Sequence, residues 1–356
     1  MMKKILIAFL AVCCVIGIVV FNVNQQSKKV YPEILLFQPL TGPLSNYAKH
    51  IKNGIDLWIE ANPEWKDKIK LVDSQASPSV SMNIYLQERT IYKPKVIIAS
   101  VTPVSNALQP LAEKDGVFIL ASNNSTKSAI RKGNLQRVYF NPYDSIEASV
   151  KMFAKSDKLA LIYEFSEFGV SDKKTIEEIL KKYNKSLSIE ESFESREFNP
   201  REVVLKVMKE NPDAIMVVGL GLPYRNIFKN LQEQGYKGKL FTNAVLVDPV
   251  FWDEFKQYKN PVYFVGTSVE TDQETNFKKI YKKRFGAQAC ISAVSPYDAL
   301  TLAKTMIEKG ITTQEGIYNL GKMQGLVDEL VFQPEGEMHY PTVLLKIGNG
   351  TVEQVQ

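Results

Sequence analysis

Short β-type apolar runs recur along this chain, each followed by a stretch with helical apolar periodicity, and that alternation leaves few folds open. The runs lie at 34–37, 69–72, 96–99, 117–120, 138–140, 159–163, 214–218 and 262–265. Helical patterns fill 46–61, 79–91, 103–114, 145–154, 171–183, 201–210, 224–234, 273–284 and 296–309. Strand then helix with short connections predicts an α/β fold, with parallel sheets covered on both faces. Helix-start signals agree: Asn199-Pro200 followed by Glu202 and Ser295-Pro296 followed by Asp298 read as caps with a first-turn proline. Asp144 with Glu147, and Thr312 with Glu315, have capping-box spacing. The alternation breaks near the C-terminus, where 329–332 and 342–347 read as strands joined by a polar turn at 334–337, an antiparallel hairpin. About ten parallel strands are too many for one twisted open sheet, so two lobes are expected.

Lys3 and Lys4 stand ahead of an apolar run from Ile5 to Phe21, with polar residues after it. Positive charge before a short apolar stretch predicts an export signal, so everything from about Tyr31 onward is expected to work outside the cytoplasm. Three fates of this leader stay open. The run is about 17 residues, the lower edge of a bilayer span, which suits an uncleaved anchor. Leu10-Ala11-Val12-Cys13 looks like a lipobox, which would put a lipid on Cys13. Signal cleavage is the third.

The rest of the chain is long enough for two domains of ordinary size, and an apolar fraction of 45% supplies a full core. Net charge is only +5. Lys278, Lys279, Lys282, Lys283 and Arg284 fall at helical spacing and read as a solvated face; without a broad basic stripe and interleaved aromatics, no nucleic-acid partner is expected. Cys290 stands alone beyond the leader, and neither His50 nor His339 lies in a ligand-spaced cluster, so no disulfide, metal site or cofactor is expected. A Gly-x-Ser-x-Gly elbow and a His-based triad are both missing from the sequence. The adjacent acids Glu177-Glu178 and Glu190-Glu191 point apart on any regular element. These observations argue against an enzyme.

In an open parallel sheet, ligands bind beyond the carboxyl ends of the strands. Strand 96–99 runs through Ser100 into Thr102-Pro103, a natural helix start whose free N–H groups suit a carboxylate or another acceptor. Strand 117–120 opens into the small polar loop Ala121-Ser122-Asn123-Asn124-Ser125-Thr126. Strand 159–163 leads to Glu164-Phe165-Ser166-Glu167-Phe168-Gly169. Strand 214–218 leads to Gly219-Leu220-Gly221-Leu222, where a lone Gly-x-Gly reads as a tight turn.

These segments, in order, carry a resemblance. Pro39-Leu40-Thr41-Gly42-Pro43 with Tyr47 and Gly54 downstream, the stretches 96–100 and 111–117, Phe168-Gly169, Ser295-Pro296-Tyr297-Asp298 and Phe332-Gln333-Pro334-Glu335-Gly336 together resemble the type I periplasmic binding proteins. The leucine/isoleucine/valine-binding branch, receptors of branched-chain amino-acid ABC transporters, is the nearest. The resemblance covers about 31–350. It implies two Rossmann-like α/β lobes joined by a three-crossover hinge: residues 29–143 plus 269–325, and 144–268 plus 326–356, after a leader at 1–28. It implies a small ligand between them, with Thr102 and Ser125 holding a carboxylate, backbone help near Asn123, Ser100 and Tyr47 nearby, and Phe168 and Leu222 as apolar walls. The implied partner is a membrane permease. Where the family places an acid for a ligand's ammonium group, this chain has Ala244, close to Asn243. A buried ammonium without a carboxylate is costly, so a less charged acid, an amide, or an aromatic or aliphatic ligand is expected, unless Glu164, Glu167 or Asp248 takes that role. A sensory module that signals to a partner protein is the alternative reading.

Overall fold

Runs of aliphatic residues buried on both faces build the centre of each layer. The computed structural model describes residues 31–42, 44–124, 133–194, 199–270 and 275–355, so the leader lies outside the described residues. Along the chain the strands are β1 (Ile34–Gln38), β2 (Ile69–Asp73), β3 (Val96–Ser100), β4 (Phe118–Ser122), β5 (Leu135–Val138), β6 (Leu159–Glu164), β7 (Ile189–Phe193), β8 (Ala214–Val218), β9 (Lys239–Thr242), β10 (Val262–Gly266), β11 (Lys322–Gln324), β12 (Glu329–Phe332), β13 (Met338–His339), β14 (Val343–Gly348) and β15 (Thr351–Gln354). The helices are α1 (Ser45–Ala61), α2 (Pro78–Ile91), α3 (Thr102–Lys114), α4 (Glu147–Phe153), α5 (Glu167–Lys182), α6 (Pro200–Lys209), α7 (Gly221–Glu233), α8 (Trp252–Phe255), α9 (Asn276–Phe285), α10 (Ile291–Lys309) and α11 (Gln314–Tyr318). Among the described residues no helix is long and apolar enough to cross a membrane.

Two sheets carry the architecture. The first, ordered β2-β1-β3-β4-β5, is parallel throughout. The second, ordered β15-β14-β10-β9-β8-β6-β7, is parallel from β7 to β10 and ends in the antiparallel pair β14 and β15. Alternation of side chains along each strand sorts the core into layers. Ile34, Leu36, Ile98 and Leu120 face α1 and α10, whereas Leu35, Phe37, Ile97 and Ile119 face α2 and α3. The second sheet repeats the scheme, with Ile162, Ile215 and Val217 against α6 and α7 and Leu161, Met216 and Val218 against α4 and α5. Three crossings join the sheets, after β5, after β10 and before β14.

Several expectations need correction. The fifth strand is Leu135–Val138 and not 138–140. Its polar Gln136 and Arg137 hide the apolar signal, yet both are buried, with Gln136 Nε2 donating to the Glu337 carbonyl and Arg137 Nε to the Glu337 carboxylate, each at 3.0 Å. The expected C-terminal hairpin does not form: β12 pairs with β11 and β13 in a three-stranded sheet, and β14 joins β10. Leu330, Phe332, Met338 and Tyr340 pack in the core shared with the first sheet, so 326–340 lies with that sheet, where the sequence division had put it in the second lobe. Ser295-Pro296 is not a helix start; Pro296 sits inside α10, and Ser295 Oγ donates to the Val138 carbonyl at 2.7 Å. Asp144 caps nothing and instead accepts from the Tyr340 N–H and His339 Nδ1, both at 3.2 Å. Thr313, one residue later than expected, caps α11. Asn199 does cap α6, accepting from the Arg201 N–H.

Helices α1 and α10 approach each other backbone to backbone. A Cβ at Gly54 would stand 1.9 Å from the Ala293 carbonyl oxygen, so only glycine allows the approach. Gly54→Ala is expected to force the helices apart and to lower unfolding free energy by about 1–3 kcal/mol, in the range of overpacked cores. Urea unfolding with an unchanged midpoint would contradict this packing.

Candidate functional site

The carboxyl-end loops of both sheets converge on one cavity of about 290 Å³. Pro39 and Ala76 come from the loops after β1 and β2, and Val101, Thr102 and Pro103 from the junction of β3 and α3. Asn123 and Asn124 follow β4, and Tyr139 follows β5. The second sheet contributes Glu164, Ser166, Glu167 and Phe168 beyond β6, Leu220 beyond β8, and Asn243 and Val247 beyond β9. Leu44, Tyr47, Ile51 and Ser292 complete the wall from α1 and α10.

Local chemistry sets these loops. Asp73, at the end of β2, accepts from the N–H groups of Leu40, Thr41 and Gln75 and from the Thr41 hydroxyl. Partial burial opposes the charge, but these bonds outweigh it and hold the carboxyl below its ordinary value. Val101 takes φ +66° and ψ 141° as it turns β3 into α3, a region that a branched side chain disfavours. Asn123 is also left-handed, at φ +48°, which asparagine tolerates better. Helix α3 starts at the cavity edge without a side-chain cap from Val101.

The expected site residues divide. Thr102, Asn123, Phe168 and Tyr47 line the cavity. Ser100 does not: it is buried beneath the wall, bonded to the side chains of Gln38 and Ser122. Leu222 is 61% exposed and off the wall, because α7 begins at Gly221 and the apolar contact falls to Leu220. Ser125 lies outside the described residues. The Thr102 hydroxyl donates to Asn124 Oδ1 at 2.7 Å, and Asn124 Nδ2 donates to Ser105 Oγ at 2.9 Å. The hydroxyl proton of Thr102 is thus spent within the protein. The Asn123 N–H is engaged with Ser295 Oγ at 3.0 Å, so backbone help does not come from there. Its side-chain Oδ1 and Nδ2 are enclosed and have no partner among the described residues.

On the facing wall Ser166 caps α5, and its hydroxyl accepts from the Gly169 N–H at 3.2 Å. A Cβ at Gly169 would lie 2.1 Å from the Glu164 carbonyl oxygen, so glycine lets α5 close down on β6 and present Phe168. Glu164 is buried and accepts from the Leu220 N–H at 3.0 Å. Glu167 Oε1 accepts from Asn106 Nδ2 at 3.4 Å, linking α5 to α3 across the mouth. The lining includes two glutamates and no Lys, Arg or His. Sequence reasoning missed Leu44, Ile51, Tyr139, Ser292 and Val247; only their placement after strands or on α1 and α10 marks them.

Behind this wall, Asn243 donates to the buried Asp172 carboxylate. Burial lifts Asp172 to about 7, against that hydrogen bond. A carboxyl raised this way keeps a proton that the unfolded chain releases. Its contribution to stability is complete below the ordinary value of 3.8 and is lost as pH rises through about 7. Asp172→Asn, which mimics the protonated acid, is expected to match the parent at about pH 4 and to exceed it at about pH 8.5. A stability difference that does not change between those two conditions in urea melts would refute this assignment.

Comparison with known proteins places the architecture. A periplasmic binding protein family profile matches residues 33–336. A leucine-binding protein from Thermotoga maritima superposes with a TM-score of 0.80 at 17% identity, covering 91% of this chain and 98% of that one. A solute-binding protein of an ABC transporter from Rhodopseudomonas palustris BisB5, in complex with 3,4-dihydroxybenzoic acid, gives 0.79 at 17% identity, covering 92% and 97%. An extracellular ligand-binding receptor from Desulfohalobium retbaense gives 0.76 at 15% identity over 91% of this chain, which spans 59% of the length of that receptor. No curated protein sequence matches the chain. On the family match and the two-sheet, three-crossing fold, the chain belongs to the periplasmic binding proteins of type I.

Proposed function

We propose that this chain is the solute receptor of an ABC-type transporter, closing two lobes on a small ligand that carries a carboxylate or amide group. The observation that carries the reading is Asn123, a residue of the cavity wall whose side-chain Nδ2 and Oδ1 are enclosed and find no hydrogen-bond partner among the described residues. Such groups are costly to leave unmade, and a carboxyl or amide group supplies what they need. Phe168, Tyr47, Ile51 and Val247 give the cavity apolar walls of the kind small-molecule sites use. The cavity volume, near the lower end for ligand pockets, suits a metabolite of amino-acid or benzoate size. The 3,4-dihydroxybenzoic acid in the Rhodopseudomonas complex has that size and chemistry. Glu164 and Glu167 favour a ligand that turns a hydrogen-bond donor toward the second sheet.

In this reading nothing is transformed; binding shifts a population from open to closed, and the closed form docks on a membrane permease. The lobes divide near residues 143, 268 and 340. The family implies work outside the cytoplasm, and the leader at 1–28 would keep the receptor at the membrane surface, either as a helix or through a lipid on Cys13.

Calorimetry on the full chain in detergent, against a panel that includes leucine and 3,4-dihydroxybenzoate, is expected to find a saturable ligand, with compaction in solution scattering. For that ligand Asn123→Ala is expected to weaken binding about 10- to 100-fold and Thr102→Val less, as for hydrogen bonds to charged and neutral groups respectively. Affinity indifferent to Asn123 would remove the main support for the proposal.

A further inference from the structure

We propose that His50, Asp248 and Cys290 form a binding site for one divalent cation of the zinc class, at the junction between the two sheets. Among the described residues these three, all buried, bring one ligand atom each to within 4.8 Å of one another. Nitrogen, carboxylate oxygen and thiolate sulfur suit Zn²⁺ better than harder cations, and three protein ligands leave its fourth position open. His50 Nε2 and Asp248 Oδ1 are 3.8 Å apart. That is too far for a hydrogen bond, but near the roughly 3.3–3.8 Å between neighbouring ligands on a tetrahedral metal with bonds of about 2.0–2.3 Å.

The surroundings prepare the ligands. His50 Nδ1 meets the Tyr281 hydroxyl at 2.8 Å, and that oxygen also accepts from Asn53 Nδ2 at 3.0 Å. A metal-binding histidine commonly uses its second nitrogen in this way, leaving the first lone pair for the ion. With a divalent cation in place, one carboxylate and one thiolate neutralise its charge, and no net charge remains buried. Asp248 follows β9 of the second sheet, whereas His50 and Cys290 stand on α1 and at the start of α10, beside the first sheet. Their chain neighbours Ile51, Val247 and Ser292 line the cavity, so the cation would sit directly behind the cleft wall and fasten the two sides together.

The full chain, stripped with a chelator, is titrated with Co²⁺ and then with Zn²⁺. The expected result is one equivalent of Co²⁺ with thiolate-to-metal charge-transfer absorption, displaced by Zn²⁺ with a rise in Tm. Cys290→Ser abolishes the absorption, and Tyr281→Phe, which removes the partner of His50, weakens binding about tenfold. Asp248→Asn retains shape and thiol and keeps the test alive if the serine variant does not fold; its affinity is expected to fall at least as far as that of Tyr281→Phe. No stoichiometric binding, or absorption that survives in Cys290→Ser and so belongs to Cys13 or Cys14, overturns the proposal, as does unchanged affinity in Asp248→Asn.

Discussion

Parallel pairing sends the carboxyl end of every strand to one edge of its sheet, and the placement of function in this chain follows from where those two edges lie. Strands β1 to β5 and strands β6, β8 and β9 all deliver their outgoing loops to the same cavity. The amino ends of the strands contribute nothing to it. Burial on both faces makes the strands rigid supports, so small polar side chains at their ends are held without long arms of their own. The wall is correspondingly mixed: Tyr47, Ile51 and Phe168 come from helices that pack back on the sheets, while Asn123, Asn124 and Asn243 belong to loops that leave the strands and turn.

Buried or half-buried carboxylates tie the crossings between the sheets. Asp144, after the first crossing begins, accepts from the backbone of Tyr340 in the third. Glu270, after the second, accepts from the Thr267 hydroxyl at 2.5 Å and from the Ile291 N–H at 2.7 Å, binding the crossing to the start of α10. Burial raises both carboxyls, that of Glu270 to about 7. The hinge is thus tied by directional bonds, whereas the mouth of the cleft is spanned by the exposed Asn106–Glu167 contact at 3.4 Å, worth at most about 1 kcal/mol. A contact so weak adds little to the association of the two sheets at the mouth of the cleft.

The legibility of the sequence follows burial. Strands covered on both faces, such as β1, β3 and β8, are continuous apolar runs and stand out. The edge strand β7, reading Ile189-Glu190-Glu191-Ser192-Phe193, does not, nor does β9, which opens on an exposed lysine. The hairpin expectation failed because pairing at the C-terminus is decided by which core the apolar residues enter. Met338 and Tyr340 are claimed by the first, and Leu345 and Ile347 by the second. Thr102, Asn123 and Phe168 were legible because loops after strands are the general place for ligands. Ser100 and Leu222 were not separable from them, since a shift of one or two residues turns a side chain from wall to interior or to solvent. His50, Asp248 and Cys290 are far apart in sequence, so no spacing could announce their meeting.

Backbone strain marks the same place independently. A valine at φ +66° costs on the order of 1–3 kcal/mol, and Val101 occurs where β3 hands over to α3. Relaxing it would rotate the start of α3 and take Thr102 away from Asn124, breaking the chain of bonds through Ser105. Packing of Val104 and Leu108 in the first sheet's core fixes the helix axis, so the distortion concentrates in the one residue between strand and helix. A fold concerned only with stability has glycine available for that position. Keeping a side chain there puts Val101 itself into the cavity wall beside Pro103, which makes the strained residue part of the surface that the ligand would meet.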